Sequence, residues 1–263
     1  MNVLWIFAHP EPRSLSGSLR DEGLRALRGL GHECRVSDLY AMRWNPVVDG
    51  ADFRHDAEER LIIGASSHDA YDAGTLSEDI RAEQEKIAWA DALIVQFPLW
   101  WYGMPAILKG WFDRVFVKGF AFGVTGPDGR TLRYGDGKLA GKRAMVLLTA
   151  GTPRAAAGPR GVNGDIEHLL FPLQHGTLWY SGMSVLPPHV VYGADRLSAE
   201  QYEGYADALR QRLAALPTAD PIPFRRQNGG DYDENLVLRP DIMPGHSGLA
   251  VHYATPAASR CTA

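Results

Sequence analysis

The chain has 263 residues, 45% of them apolar and 22% charged, an ordinary globular composition that excludes a disordered, collagen-like or coiled-coil chain. A formal charge of −4, from 27 basic and 31 acidic residues, leaves no electrostatic footprint for a nucleic acid or an anionic membrane. Cys34 and Cys261 are too few for a disulfide scaffold, no apolar run approaches a membrane span, and the start lacks a basic, cleavable leader, so a reducing, cytoplasmic location is expected.

Residues 3–7 form a short apolar run before Ala8-His9-Pro10, the pattern of a fully buried parallel strand. Leu15, Leu19, Leu24, Leu27 and Leu30 then recur at helical spacing, with Ser14 or Ser16 as N-cap and Gly31 as the stop. Residues 34–37 predict a second strand. Residues 40–75 are polar and read as loop mixed with short helix. Helix over 77–90 with Ser77 as its cap, strand over 92–97, and helix over 104–117 with Pro105 in the first turn follow. Residues 123–142, with six glycines, predict a long loop, and 144–149 a fourth strand. After a loop over 151–162 come a helix over 166–179 despite Pro172, a fifth strand over 183–191 and a long amphipathic helix over 198–216. This alternation predicts a doubly wound α/β fold, a five-stranded parallel sheet with helices on both faces. Ligands of such sheets bind outside the carboxyl ends of the strands, where the loops 8–13, 98–103 and 150–162 gather.

Four segments carry candidate chemistry. In the loop 8–18, His9, Ser14, Ser16 and Gly17 bring hydroxyls and backbone N–H groups to a helix N-terminus, which favours a phosphate; an ordinary serine-capped helix reads the same way. Four of the seven Trp fall between Trp89 and Trp111. Among them, Trp100 and Trp101 stand with Tyr102 on a strand-to-helix loop, where a stacked planar ligand or a dimer interface would explain them. Thr149-Ala150-Gly151-Thr152 offers small residues for close approach of a ring, or a plain turn. Around 161–165, Asp165 suits a helix cap and Asn163 a donor into a pocket. His168 and His175 have no third ligand at a recognisable spacing, so no metal is expected. Neither a serine elbow nor a cysteine nucleophile motif occurs.

Taken together, Ser37-Asp38-Leu39-Tyr40-Ala41-Met42, Gln96-Phe97-Pro98-Leu99, Pro105-Ala106-Ile107-Leu108-Lys109-Gly110-Trp111, Gly119-Phe120-Ala121-Phe122 and Pro172-Leu173-Gln174-His175-Gly176-Thr177-Leu178 resemble the NAD(P)H:quinone oxidoreductases, the DT-diaphorase family. The resemblance spans about residues 1–217. It implies a flavodoxin-like domain over 1–217, with 218–263 as an irregular extension packing on the domain or on a partner subunit. It also implies a homodimer with FAD, rather than FMN, at the interface. A hydride would pass from NAD(P)H to flavin and then to a quinone, in ping-pong order. By the same resemblance His9, Ser14 and Ser16 hold the pyrophosphate. Pro98, Leu99, Trp100, Trp101 and Tyr102 line the isoalloxazine, and Thr149, Ala150, Gly151 and Thr152 contact its other side. Phe122 and Val124 come from the partner and cover a substrate pocket that Trp101 and Asn163 share.

Ala157 and Asn163 stand where some members of that family carry a Tyr and a His that relay a proton. The route then passes to water or Tyr134, which makes Asn163, Tyr134 and Gly151 the catalytic candidates. His175 matches one ligand of a metal site in one branch, but Trp179 and Phe224 replace the others. Two alternatives remain: a pathway-specific reductase of a quinone-like, azo or nitroaromatic compound, and a non-enzymatic flavodoxin-like redox sensor.

Overall fold

The computed structural model describes residues 1–254; residues 255–263, with Cys261 and the end of the extension, lie outside the described residues. Five of the six residues of β1 (Asn2–Phe7) are fully buried, because the strand is covered on both faces. Successive side chains alternate between those faces. Leu4 and Ile6 pack with α3 (Glu78–Trp89), α4 (Ala106–Val115) and α5 (Ile166–Leu173). Val3, Trp5 and Phe7 pack with α1 (Leu15–Gly29) and α6 (Ala199–Ala214). Two cores, one on each side of a parallel sheet, are the doubly wound architecture expected from the alternation.

The strands run β2 (Glu33–Asp38), β1, β3 (Ala92–Pro98), β4 (Arg143–Ala150), all parallel. The predicted fifth strand is two pieces, β5 (Ser184–Val185) and β6 (His189–Tyr192), both on β4. Pro187 and Pro188 cause the break, since neither has an N–H for the ladder, and an edge strand tolerates that. From Ala144 to Leu147 on β4 the partner chain advances from Val185 to His189, one residue more, so the break is a bulge.

Residues 40–75 are more ordered than their polarity suggests. A 3-10 turn (Gly50–Phe53) and α2 (Ile63–Asp72) bury Trp44, Phe53 and Ala70 in the core on the α3 and α4 side. Arg114, 3% exposed, holds this segment: Nε and Nη2 donate to Asp52 at 3.0 and 2.5 Å, and Nη1 to Asp79 at 2.6 Å. Ser77 is the N-cap residue of α3 as expected, but its hydroxyl donates to Asp79 Oδ1 (2.6 Å) rather than accepting from the first turn. After Pro172 the chain widens from α5 into a π-helical turn (Gln174–Trp179). Beyond α6, Ile222, Phe224 and Tyr253 join the same core as α5. No helix among the described residues is long and apolar enough to cross a membrane.

Candidate active site

Three loops leave the carboxyl ends of β1, β3 and β4 and meet over the sheet edge. The first runs into α1, where Ser14 is the N-cap and its Oγ accepts from the Gly17 N–H at 3.1 Å. That bond satisfies one donor of the first turn and leaves those of Leu15 and Ser16 beside a cleft that both residues line. The Ser16 hydroxyl is instead engaged below, 3.0 Å from Thr149 Oγ1, so Ser16 offers its backbone rather than its side chain. Gly17 is required here, because a Cβ would overlap the Pro12 carbonyl oxygen. His9 Nδ1 lies 3.1 Å from both the N–H and the carbonyl oxygen of Glu11, which holds the ring at the mouth of the cleft.

Gln96 was not among the candidates, yet it ties the first loop to the sheet. It is fully buried in β3, accepts from Trp5 Nε1 at 2.8 Å and donates to the Ser16 carbonyl at 2.7 Å. A polar side chain in an otherwise apolar seven-residue strand was the available signal.

The second loop is a tight turn. Trp100 and Gly103 exchange both backbone bonds at 3.0 Å, and Trp101 and Tyr102 between them have φ of 49° and 62°. Two left-handed non-glycine residues in one turn cost about 1–3 kcal/mol each. The turn holds Trp101 96% exposed, with Trp100 and Tyr102 also exposed. Trp100 stands 6.3 Å from the His9 ring, which leaves Trp101, a ring without an aromatic partner among the described residues, as an open stacking surface over the strand end.

The third loop closes the site. Tyr102 donates to Asn163 Oδ1 (3.0 Å), and Asn163 Nδ2 donates to Thr152 Oγ1 (2.6 Å), a polar chain linking all the loops after β3 and β4. Asp165 caps α5 by accepting from the Glu167 N–H at 3.0 Å, and that fixes the chain just after Asn163. Asp195, from the turn after β6, stands where a Cβ on Gly151 would be. Asp195 too was missed; its place after a strand end was the signal.

These residues form two joined clefts. One, of roughly 460 Å³, is lined by His9, Ser14, Ser16, Pro98, Trp100, Thr149 and Asp195. The other, of roughly 200 Å³, is lined by Trp101, Tyr102, Ala150, Thr152, Ala157 and Asn163. Leu99 and Gly151 line both. Gly17, a cofactor-binding candidate by sequence, is buried in α1 and is not among the residues lining either cleft. Phe122 and Val124, half-buried, are not among the described residues lining either cleft of their own chain. Tyr134 lies elsewhere, its ring 5.0 Å from that of His175, in a different cavity. Burial, and then the neighbouring Tyr180, push the Tyr134 phenol up, so it keeps its proton at neutral pH.

A profile of proteins with the flavodoxin-like fold matches residues 1–213. The chain is 44% identical over 260 residues to a ribosyldihydronicotinamide dehydrogenase-like protein of Penicillium crustosum, covering 97% of this chain and 96% of that one. It is 40% identical over 244 residues to NAD(P)H dehydrogenase (quinone) 1 of Cavia porcellus, covering 91% and 86%. A crystal structure from Klebsiella pneumoniae, assigned as a quinone reductase, superposes with a TM-score of 0.93 at 51% identity, covering 97% of this chain and all of that one. With a strand order that reverses between β1 and β3 and a cleft at that reversal, the chain belongs to the quinone dehydrogenase family of flavodoxin-like oxidoreductases.

Proposed function

We propose that this protein is an FAD-dependent reductase that passes a hydride from NAD(P)H to a quinone in two successive half-reactions. The observation that carries this reading is the joined cleft running from the α1 N-terminus to the Trp101–Tyr102 turn. Its two ends suit the two ends of a flavin nucleotide, a phosphate anchor and a stacking surface. A bound flavin would supply the redox chemistry, taking up and releasing the hydride.

The chain supplies position and proton control. The first-turn N–H groups of α1 would donate to a pyrophosphate, with the His9 ring beside them in the same cleft. Gly151 leaves room for Asp195 against the end of β4, and Leu99, Trp101 and Tyr102 would hold a ring from the other loop. The chain from Tyr102 through Asn163 to Thr152 places a hydroxyl and an amide beside the smaller cleft, where a proton is needed at the acceptor. In this reading residues 1–217 carry the flavin and the extension packs against them. Two copies associate in the cytoplasm, and Phe122 and Val124 of the partner subunit roof the acceptor.

Trp101→Ala is expected to weaken FAD binding about 2- to 10-fold, the worth of one aromatic contact. Titration of the apoprotein by flavin fluorescence reads this, and an unchanged affinity would remove Trp101 from the stacking role. Sedimentation of the flavin-loaded protein is expected to show a dimer; a fully active monomer contradicts the shared site. Buried Ala157 in the smaller cleft gives room for an acceptor bulkier than a simple quinone, and this favours the narrower reading of a reductase dedicated to one such aromatic compound. A panel of quinone, azo and nitroaromatic acceptors separates the two readings by kcat/KM.

A further inference from the structure

A buried polar chain crosses four elements beside the larger cleft. Trp5 Nε1 on β1 donates to Gln96 Oε1 on β3 at 2.8 Å, and Gln96 Nε2 donates to the Ser16 carbonyl in the first turn of α1 at 2.7 Å. The Ser16 hydroxyl lies 3.0 Å from Thr149 Oγ1 on β4. Trp5 and Gln96 are fully buried, Ser16 is 2% exposed and Thr149 5%. The alternation along each strand puts Gln96 and Thr149 on the face where Ile94 and Leu147 pack against α1 and α6. Apolar side chains at those positions would pack as well, since replacing both partners of a buried hydrogen bond by apolar groups is close to neutral for stability. The polar chain therefore contributes geometry, and it does so at the carboxyl ends of the strands, where the clefts open.

Ser16 is the hub. Its carbonyl is taken by β3 and its hydroxyl by β4, while the residue itself lines the larger cleft. The same two strands build the wall at the ring end. β3 continues from Gln96 into Pro98 and Leu99, and the Leu99 N–H donates to the Thr149 carbonyl at 2.8 Å. Leu99 lines both clefts. A few buried bonds thus join the helix N-terminus suited to phosphate with the strand ends suited to a ring.

We propose, on the reading that the joined clefts hold a flavin dinucleotide, that Gln96 is a positioning residue which sets the separation between the phosphate subsite and the ring subsite, acting through Ser16 and Thr149. A ligand with two linked ends gains from the second end only when the two subsites stand at its span. Loosening the tie costs a ligand that uses both subsites and spares one that uses the ring subsite alone.

Gln96→Met keeps an unbranched side chain of similar length and removes both bonds. FAD, and riboflavin, which lacks the phosphates, are titrated into the apoprotein by flavin fluorescence. FAD is expected to bind about 3- to 10-fold more weakly than to wild type, the worth of one hydrogen bond, and riboflavin to change by less than about 2-fold. Gln96→Glu supplies the conservative rescue. Its protonated carboxyl offers the same acceptor and donor as the amide to the neutral Trp5 and Ser16, whereas the ionised form cannot donate to the Ser16 carbonyl. Burial holds such a carboxyl protonated well above its usual range, to about 8–9 in documented cases. FAD affinity of Gln96→Glu, taken as a ratio to wild type at each pH so that titration of His9 cancels, is expected to be near one at about pH 6 and to fall at about pH 9. Equal loss of FAD and riboflavin would assign Gln96 to the fold alone and overturn the proposal. So would unchanged FAD affinity in Gln96→Met, or a ratio for Gln96→Glu that does not move with pH. A wild-type chain that takes up riboflavin but gains nothing from the phosphates of FAD would instead overturn the dinucleotide reading, and the proposal with it.

Discussion

Gly17→Ala is expected to damage both the fold and the cofactor site. A Cβ there overlaps the Pro12 carbonyl oxygen, a backbone atom that no rotamer change can move aside. Either α1 withdraws from the first loop or the loop shifts, at a cost of about 1–3 kcal/mol or more. The bond from the Gly17 N–H to Ser14 Oγ and the anchor of the Ser16 carbonyl on Gln96 are both disturbed. The first-turn donors are then misaimed, and FAD affinity is expected to fall about 10- to 100-fold, the scale of charge-assisted hydrogen bonds. Gly29→Ala is the control at the other end of the same helix, where a Cβ meets nothing. It is expected to raise stability by about 0.4–1 kcal/mol and leave FAD binding alone. Thermal unfolding and flavin titration of both variants check this; equal behaviour would mean that the α1 N-terminus does not hold the cofactor.

Arg114→Met is expected to be the most destabilising single change away from the clefts. Removing the guanidinium leaves the Asp52 carboxylate buried without a cation, a loss of about 3–5 kcal/mol. The double variant Arg114→Met with Asp52→Asn is expected to recover much of it, since the stranded charge dominates the cost. The pH dependence has a definite sign. Burial alone would raise Asp79, but hydrogen bonds from Arg114 and Ser77 outweigh it and hold the carboxyl below its usual value. A depressed folded pKa contributes stability above the unfolded value of about 4, lost as the pH falls through the folded one. The difference between wild type and Arg114→Met in urea denaturation should therefore narrow below that pH. Asp79 is partly exposed, so solvent screens its share of the effect.

Strands and helices were legible wherever apolar residues kept a period, as in β1, β3, α1 and α6. Legibility failed where order comes from a distant partner. Residues 40–75 look polar, and their structure depends on Arg114, some sixty residues further along, reaching Asp52. The bulge at Pro187 and Pro188 was present as two adjacent prolines inside an apolar run, a signal that argued against one continuous strand. Of the residues that line the two clefts, those on the loops after β1, β3 and β4 were legible by position. Asp195 and Gln96 were not, because each acts through geometry, one against Gly151 and one beneath α1. Asn163 was read as a donor, and its bond to Thr152 shows the partner that a linear reading lacks. Tyr134, a candidate for the proton route by sequence, stands instead in a cavity apart from both clefts.

Anaerobic half-reactions test the central proposal most directly. The FAD-loaded protein is mixed with NADH, NADPH or ribosyldihydronicotinamide, and the flavin's visible absorbance is followed. One equivalent of donor is expected to bleach it, and one equivalent of a quinone, added after the donor product is removed, to restore it. A flavin that no dihydronicotinamide reduces, or a reduced flavin that no quinone reoxidises, would contradict the assignment.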